Sequence, residues 1–202
     1  DCFTTYSGRE VKEANPDALK RRPNSRFAEA ALQTADLAAL LDGVTHVFHL
    51  AAQAGVRKSW GADFLEYTSH NVDSTQRLLE AVKTRRLLRF VYASSSSVYG
   101  DVAAIPMRED AYLQALAPYG VKKLAAEHLC HLYFANYGVP TVSLRFFTVY
   151  GPRQRPDMAF HRFIRATYER RPITLYGDGG QTRDFTYIAD IVSANLAAGD
   201  RG

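Results

Sequence analysis

The chain has 202 residues, 47% of them hydrophobic, which suffices for one substantial core and excludes a largely disordered segment. Its 25 Lys and Arg against 21 Asp and Glu leave a formal charge of +4, too mild for a nucleic-acid surface but congenial to an anionic small molecule. Cys2 and Cys130 stand far apart without a metal-ligand spacing and the apolar runs are strand-sized, so no disulfide framework, zinc site or membrane span is expected, and the cytoplasm is the expected location.

In chain order, residues 25–31 read as an outer strand with poor alternation, and 36–41 as a short helix closed by Gly43. Residues 45–50 and 88–93 are β-branched and aromatic runs of the kind that form buried parallel strands, as is 141–147. Between them, 64–86 carries Leu65, Val72, Leu78, Leu79 and Val82 at helical spacing, and 125–137 repeats the amphipathic habit. Strand, helix, strand, helix predicts an α/β fold with a parallel sheet. Past Gly151 the chain turns to Pro, Arg and Gly punctuation, with a helix over 159–170, a strand over 173–176 and a last helix from Ala189. The expected division is one domain over 1–151 and part of a smaller lobe over 152–202, with no repeat or flexible linker. Because the chain opens on Asp1, its start reads as a truncation that could have removed a targeting segment.

Tyr119 and Lys123, four residues apart, fall on one face of the helix that starts after Pro118. The spacing has a chemical use: making an unperturbed phenol a base at pH 7 takes roughly 4 kcal/mol of preferential stabilisation of the phenolate, which a neighbouring ammonium supplies. As an isolated pair, such residues more often merely decorate an amphipathic helix. The strand before them ends in Ser94-Ser95-Ser96-Ser97 followed by Val98-Tyr99-Gly100, at the kind of strand end where ligands gather in open α/β sheets. A serine hydroxyl there can hold a sugar hydroxyl, or the run can be a polar turn. Another strand end, His49-Leu50-Ala51-Ala52-Gln53-Ala54-Gly55-Val56-Arg57, offers small residues where a flat cofactor needs close backbone approach. His49, inside the strand and without an acidic or metal partner, reads as a packed residue. Gly177-Asp178-Gly179-Gly180 lacks phosphate-loop spacing and reads as a turn.

These segments, with Arg145-Phe146-Phe147-Thr148-Val149-Tyr150-Gly151-Pro152 and Arg183-Asp184-Phe185-Thr186-Tyr187-Ile188, resemble the extended short-chain dehydrogenase/reductase family, in particular its UDP-glucuronate 4-epimerases. The resemblance implies a Rossmann-like, doubly wound parallel sheet, here N-terminally truncated, and NAD as cofactor. It implies Tyr119 as the base at the sugar O4, Lys123 on the nicotinamide ribose, and Ser95 as the catalytic serine with Ser96 and Ser97 facing the sugar. Related 4,6-dehydratases carry an Asp-Glu pair where this chain has Ser96-Ser97, which disfavours water elimination. Thr148 stands where UDP-glucose epimerases typically have Asn, favouring a carboxylate-bearing sugar, and Arg57, Arg155 and Arg183 are the foremost anion contacts, ahead of Arg153 and Arg162.

Leu50, Ala51 and Ala52 are the expected cofactor-binding run, and Asp1 resembles the acidic residue that binds the adenosine ribose. Two departures bear on cofactor affinity: the first strand with its Gly-rich loop is missing, and Ala31 stands where relatives place an Asp near the adenine. The expected partners are a UDP-sugar and, at full length, a second copy of the chain; neither nucleic acid nor a membrane is expected. Three rival readings remain: a UDP-glucose or UDP-N-acetylhexosamine 4-epimerase, a UDP-glucuronate decarboxylase, and an inactive binding or scaffold fragment.

Overall fold

A computed structural model describes residues 1–6, 8–101, 104–175 and 177–201. By contacts the chain forms two compact units, one of Asp1–Ala30 with Thr148–Ile191 and one of Ala31–Phe147 with Val192–Gly202.

The larger unit is built on three parallel strands in the order β1 (His46–His49), β2 (Arg89–Ser95), β3 (Thr141–Phe146). In register, His49 lies opposite Tyr92 and Ser95 opposite Phe146, so all three carboxyl ends open on one edge. The crossover from β1 to β2 runs through a continuous helical stretch: α4 (Phe64–Thr68), a π turn (Ser69–Asp73) and α5 (Ser74–Val82). The expected helix therefore forms, but it ends at Val82 and is interrupted by one widened turn. Leu78, Leu79 and Val82 recur on the buried face of α5 and join Phe90, Tyr92, Ala126 and Cys130 in the core, each large side chain contributing about 2 kcal/mol by leaving water. Leu65 does not share that face and is 75% exposed, because α4 lies beyond the π turn and out of phase with α5.

The short helix α3 (Leu37–Leu40) starts on Asp36, whose carboxylate accepts the Ala39 N–H at 3.1 Å. The crossover from β2 to β3 runs through α6 (Pro118–Tyr137). Its start is set by extended Ala117 followed by Pro118 in the first helical position, and Gly138 at φ 69° closes it by donating to the Phe134 carbonyl at 2.9 Å.

In the smaller unit the N-terminal residues carry two helices without sequence forewarning, α1 (Arg9–Ala14) and α2 (Asp17–Lys20). Residues 25–31 form no strand; the backbone makes a single rung with the N-terminal residue, Asp1 N to Ala28 O at 3.3 Å and Ala30 N to Asp1 O at 3.1 Å. The remainder is a parallel two-strand ladder of β4 (Thr148–Tyr150) and β5 (Phe185–Tyr187), with α7 (Ala159–Tyr168) between them in sequence. Residues 173–175 form no strand, and Tyr176, the last residue of that expectation, lies outside the described residues. The final helix, α8 (Ile188–Arg201), is the one expected from Ala189. Among the described residues no helix is long and apolar enough to cross a membrane.

Candidate active site

The carboxyl end of β2 is tied to α6 residue by residue. Lys123 is 3% exposed and donates from Nζ to the Ala93 carbonyl at 2.8 Å. One helical turn on, Glu127 accepts the Ser94 hydroxyl and is clasped by Arg145 from β3, with Nε at 3.1 Å and Nη2 at 2.9 Å. Arg145 completes its fork on the Tyr99 hydroxyl at 3.2 Å and the Glu109 carbonyl at 3.1 Å. Ser94 is thereby committed to holding helix against strand. Ser95 stays half-buried: its Oγ accepts the Ser97 N–H at 3.2 Å and donates to the Ser97 hydroxyl at 3.1 Å, capping the tight turn Ser96–Val98.

Gly120 decides how closely this turn meets the helix. A Cβ at position 120 would strike the Ser97 carbonyl and lie 2.9 Å from the Ala115 side chain, so only glycine lets the first turn of α6 press on the serine run. Tyr119, next to it, is half-buried, with its ring centroid 6.0 Å from the Lys123 ammonium. Burial pushes the Lys123 pKa down to about 8, which still leaves most of the population charged at pH 7. A buried cation at this range from a phenol favours its ionised form.

Beyond β1, the backbone at Leu50 and Ala51 is flanked by exposed side chains, with Leu50 54% exposed, and Ala52 is half-buried. Its anchors come from the crossover helix. Asn71, buried inside the π turn, accepts the Gln53 N–H at 2.7 Å and donates to the Gln53 carbonyl at 3.0 Å, while the Tyr67 hydroxyl donates to the Ala54 carbonyl at 2.7 Å. Asn is a poor helix former, and its presence in an apolar-periodic stretch was the available sign that this turn serves the loop. His49 is a packed residue: Thr75 spends its hydroxyl proton on the Asn71 carbonyl at 2.9 Å, so His49 Nε2, 2.9 Å from Thr75 Oγ1, is the donor. Burial, reinforced by the Lys123 charge, holds its pKa at about 3, so the ring is neutral. Arg57 is exposed on the turn Arg57–Ser59.

The other candidates belong to the smaller unit. Thr148 opens β4 opposite Phe185, and its N–H donates to the Asp184 carbonyl at 3.3 Å, which brings it beside the chain at Arg183. Arg183 is exposed, with Nη1 2.6 Å from the Thr182 carbonyl. Arg155 forms a two-point pair with Asp157, both contacts at 2.9 Å, and lies over the Tyr6 ring. Asp1 accepts the Phe3 N–H through Oδ1 at 2.7 Å. Lys123, Tyr119 and Ser95–Ser97 are thus assembled in one unit, and Thr148 and Arg183 are neighbours in the other.

Comparison with known proteins places the chain in a family. The NAD dependent epimerase/dehydratase family matches residues 6–202. A Bacillus subtilis protein named as an uncharacterized UDP-glucose epimerase is 55% identical over 98% of this chain and 62% of its own length. The crystal structure of UDP-glucuronic acid 4-epimerase from Bacillus cereus, in complex with UDP-glucuronic acid and NAD, superposes with a TM-score of 0.95 at 47% identity, over 99% of this chain and 63% of that one. A UDP-N-acetylglucosamine 4-epimerase from Methanobrevibacter ruminantium gives a TM-score of 0.86 at 33% identity, over 89% of this chain and 59% of that one. The chain spans less than two thirds of each of these relatives. With the parallel sheet, the strand-end serines and the Tyr119–Lys123 pair in place, the fold is Rossmann-like and the chain belongs to the NAD-dependent epimerase/dehydratase family.

Proposed function

We propose that the protein of which this chain is part is a cytoplasmic, NAD-dependent UDP-sugar 4-epimerase, acting on UDP-glucuronate to give UDP-galacturonate through a 4-keto sugar. The observation that carries the reading is the strand-end assembly: Lys123, buried and charged, 6.0 Å from the Tyr119 ring, with the serine turn packed on Gly120. In it Tyr119 takes the O4 proton, Lys123 stabilises the phenolate and holds the nicotinamide ribose, and Ser95 orients O4 with Ser96 and Ser97 toward the sugar. NAD, when bound, supplies the acceptor and donor of the C4 hydride. The residues suit its nicotinamide side: Leu50, Ala51 and Ala52 leave open backbone where a flat group needs close approach, and Lys123 reaches the same strand ends. Asp1 is assigned to the adenosine ribose, within a cofactor domain over 1–151, and 152–202 to the substrate lobe.

Arg57, Thr148, Arg155 and Arg183 are assigned to the substrate, Arg183 to the diphosphate and Arg155 to the sugar carboxylate. A second copy of the chain is the assigned partner at full length. The Bacillus subtilis relative, at 55% identity, favours UDP-glucose as the second reading.

Incubating the full-length protein with NAD and each of UDP-glucuronate, UDP-glucose and UDP-N-acetylglucosamine, with product identification, tests both readings. UDP-galacturonate is expected from the first; UDP-xylose or a 4-keto-pentose would mean decarboxylation instead. In the same assay Tyr119→Phe is expected to cut turnover at least about a hundredfold with nucleotide-sugar binding kept, since only the proton-transfer group is lost. A near-normal rate would remove Tyr119 from the chemistry.

A further inference from the structure

The first turn of α6 carries an unusual cap. Ala117, at the N-cap position, has no side chain able to accept a hydrogen bond, and Pro118 has no N–H to offer, so the first free donor of the helix is the Tyr119 amide. That amide donates to the Ser59 hydroxyl at 3.1 Å, across 60 residues of sequence. Ser59 is fully buried, and its one hydroxyl proton goes to the Val56 carbonyl at 2.7 Å. The serine therefore bridges the backbone of Tyr119 to the loop that follows β1. Tyr67 makes a parallel link: its hydroxyl holds the Ala54 carbonyl at 2.7 Å while its ring meets the Tyr119 ring edge-on, centroids 6.4 Å apart at 90°. Two buried side chains thus each touch both the loop and Tyr119, and both lie in the segment between the two.

We propose that Ser59 and Tyr67 are positioning residues, which set the Tyr119 phenol at a fixed height over the loop that follows β1. The inference rests on the proposed role of Tyr119 as the proton-transfer group. A helix capped by its own N-cap side chain would keep its shape but drift as a body relative to the loop; a cap supplied by Ser59 makes helix start and loop move together. Proton transfer falls steeply with small errors of placement, so the bridge acts on turnover and not on affinity for the sugar.

The test uses the full-length protein with the UDP-sugar it turns over fastest. Ser59→Ala removes hydroxyl and volume, whereas Ser59→Cys keeps the space filled, by a somewhat larger atom, with a much weaker hydrogen-bonding group. Both are expected to speed hydrogen exchange of the Tyr119 amide and to lower kcat about tenfold, with KM for the UDP-sugar within about twofold. Tyr67→Phe, which keeps the ring and releases only the Ala54 carbonyl, is expected to lower kcat about threefold. If Ser59→Cys turns over like the parent, the space filled by the side chain matters and the bond does not, and the proposal is wrong. It is equally wrong if the loss appears in KM with kcat unchanged. Should Ser59→Ala fail to fold, the Cys variant decides. A parent protein inert toward every UDP-sugar would sink the proposed function, and unchanged Tyr119 amide exchange in Ser59→Cys would then still refute the bridge.

Discussion

The end of β2 with α6, and the stretch from 148 to 191, hold their charged side chains by opposite means. At the first, Lys123 and the Glu127–Arg145 pair sit under cover, with Glu127 and Arg145 side chains 10% and 19% exposed, and each is satisfied by carbonyls, hydroxyls or a two-point ion pair. In the second, no described residue is buried; Arg155 pairs with Asp157, and Glu169 with Arg165 and Arg171, all within a few residues along the chain. Covered charges are expensive to misplace, so their geometry is over-determined before any ligand arrives. Exposed local pairs exchange readily with water and with competing anions, which suits side chains that must let go of one carboxylate to take another. The contrast accords with proton transfer assigned to the first region and anion recognition to the second.

The largest effect is expected from deleting the covered acid. Glu127→Ala strands the Arg145 guanidinium and the Ser94 hydroxyl together, and is expected to cost about 3 kcal/mol of stability, read as a fall in the urea midpoint. A loss below about 1 kcal/mol would show that the pair behaves as a surface contact.

A smaller effect is expected from His49. Its folded pKa, about 3, lies below the unfolded value, so the unfolded chain takes up the proton first and stability is lost as pH falls from 6.5 toward 3. At pH 5 this group alone should account for about 2 kcal/mol of that loss. His49→Gln, which cannot take up that proton, should show a correspondingly shallower acid limb in urea titrations between pH 7 and 5. An unchanged limb would mean that the ring is reached by water in solution. The smallest effect belongs to the exposed region: Glu169→Ala, which releases Arg165 and Arg171 into solvent, is expected to melt with the parent protein in a thermal scan. A clear drop in Tm would erase the distinction between the two regions.

Periodicity and a few motifs sufficed for the three strands of the larger sheet, for α6 and α7, and for the Tyr119–Lys123 pair, because alternating burial and one-face spacing are local properties of the chain. The motif residues were likewise legible as types, a phenol and an ammonium at helical spacing after a serine-rich strand end. What the pattern left open was which serine is free. Ser94 to Ser97 are identical in type; the family resemblance points to Ser95, and the packing of Glu127 and Arg145 against Ser94 gives that serine its structural task apart from the turn that presses on Gly120. Residues 25–31 and 173–176 were readable as strands from their apolar side chains, yet a strand needs a partner along its whole edge; 25–31 makes one rung, and 173–175 makes no ladder. Ser59 and Tyr67 carried no motif that marked them, and Asn71 only its poor helix propensity, since their partners are backbone groups of Val56, Ala54 and Gln53 and of the first turn of α6. Local sequence determined which elements form and which reactive groups share a face; which polar groups meet across 13 to 60 residues was decided only when the helices closed on the sheet, because an unsatisfied buried donor or acceptor is too costly to leave in place.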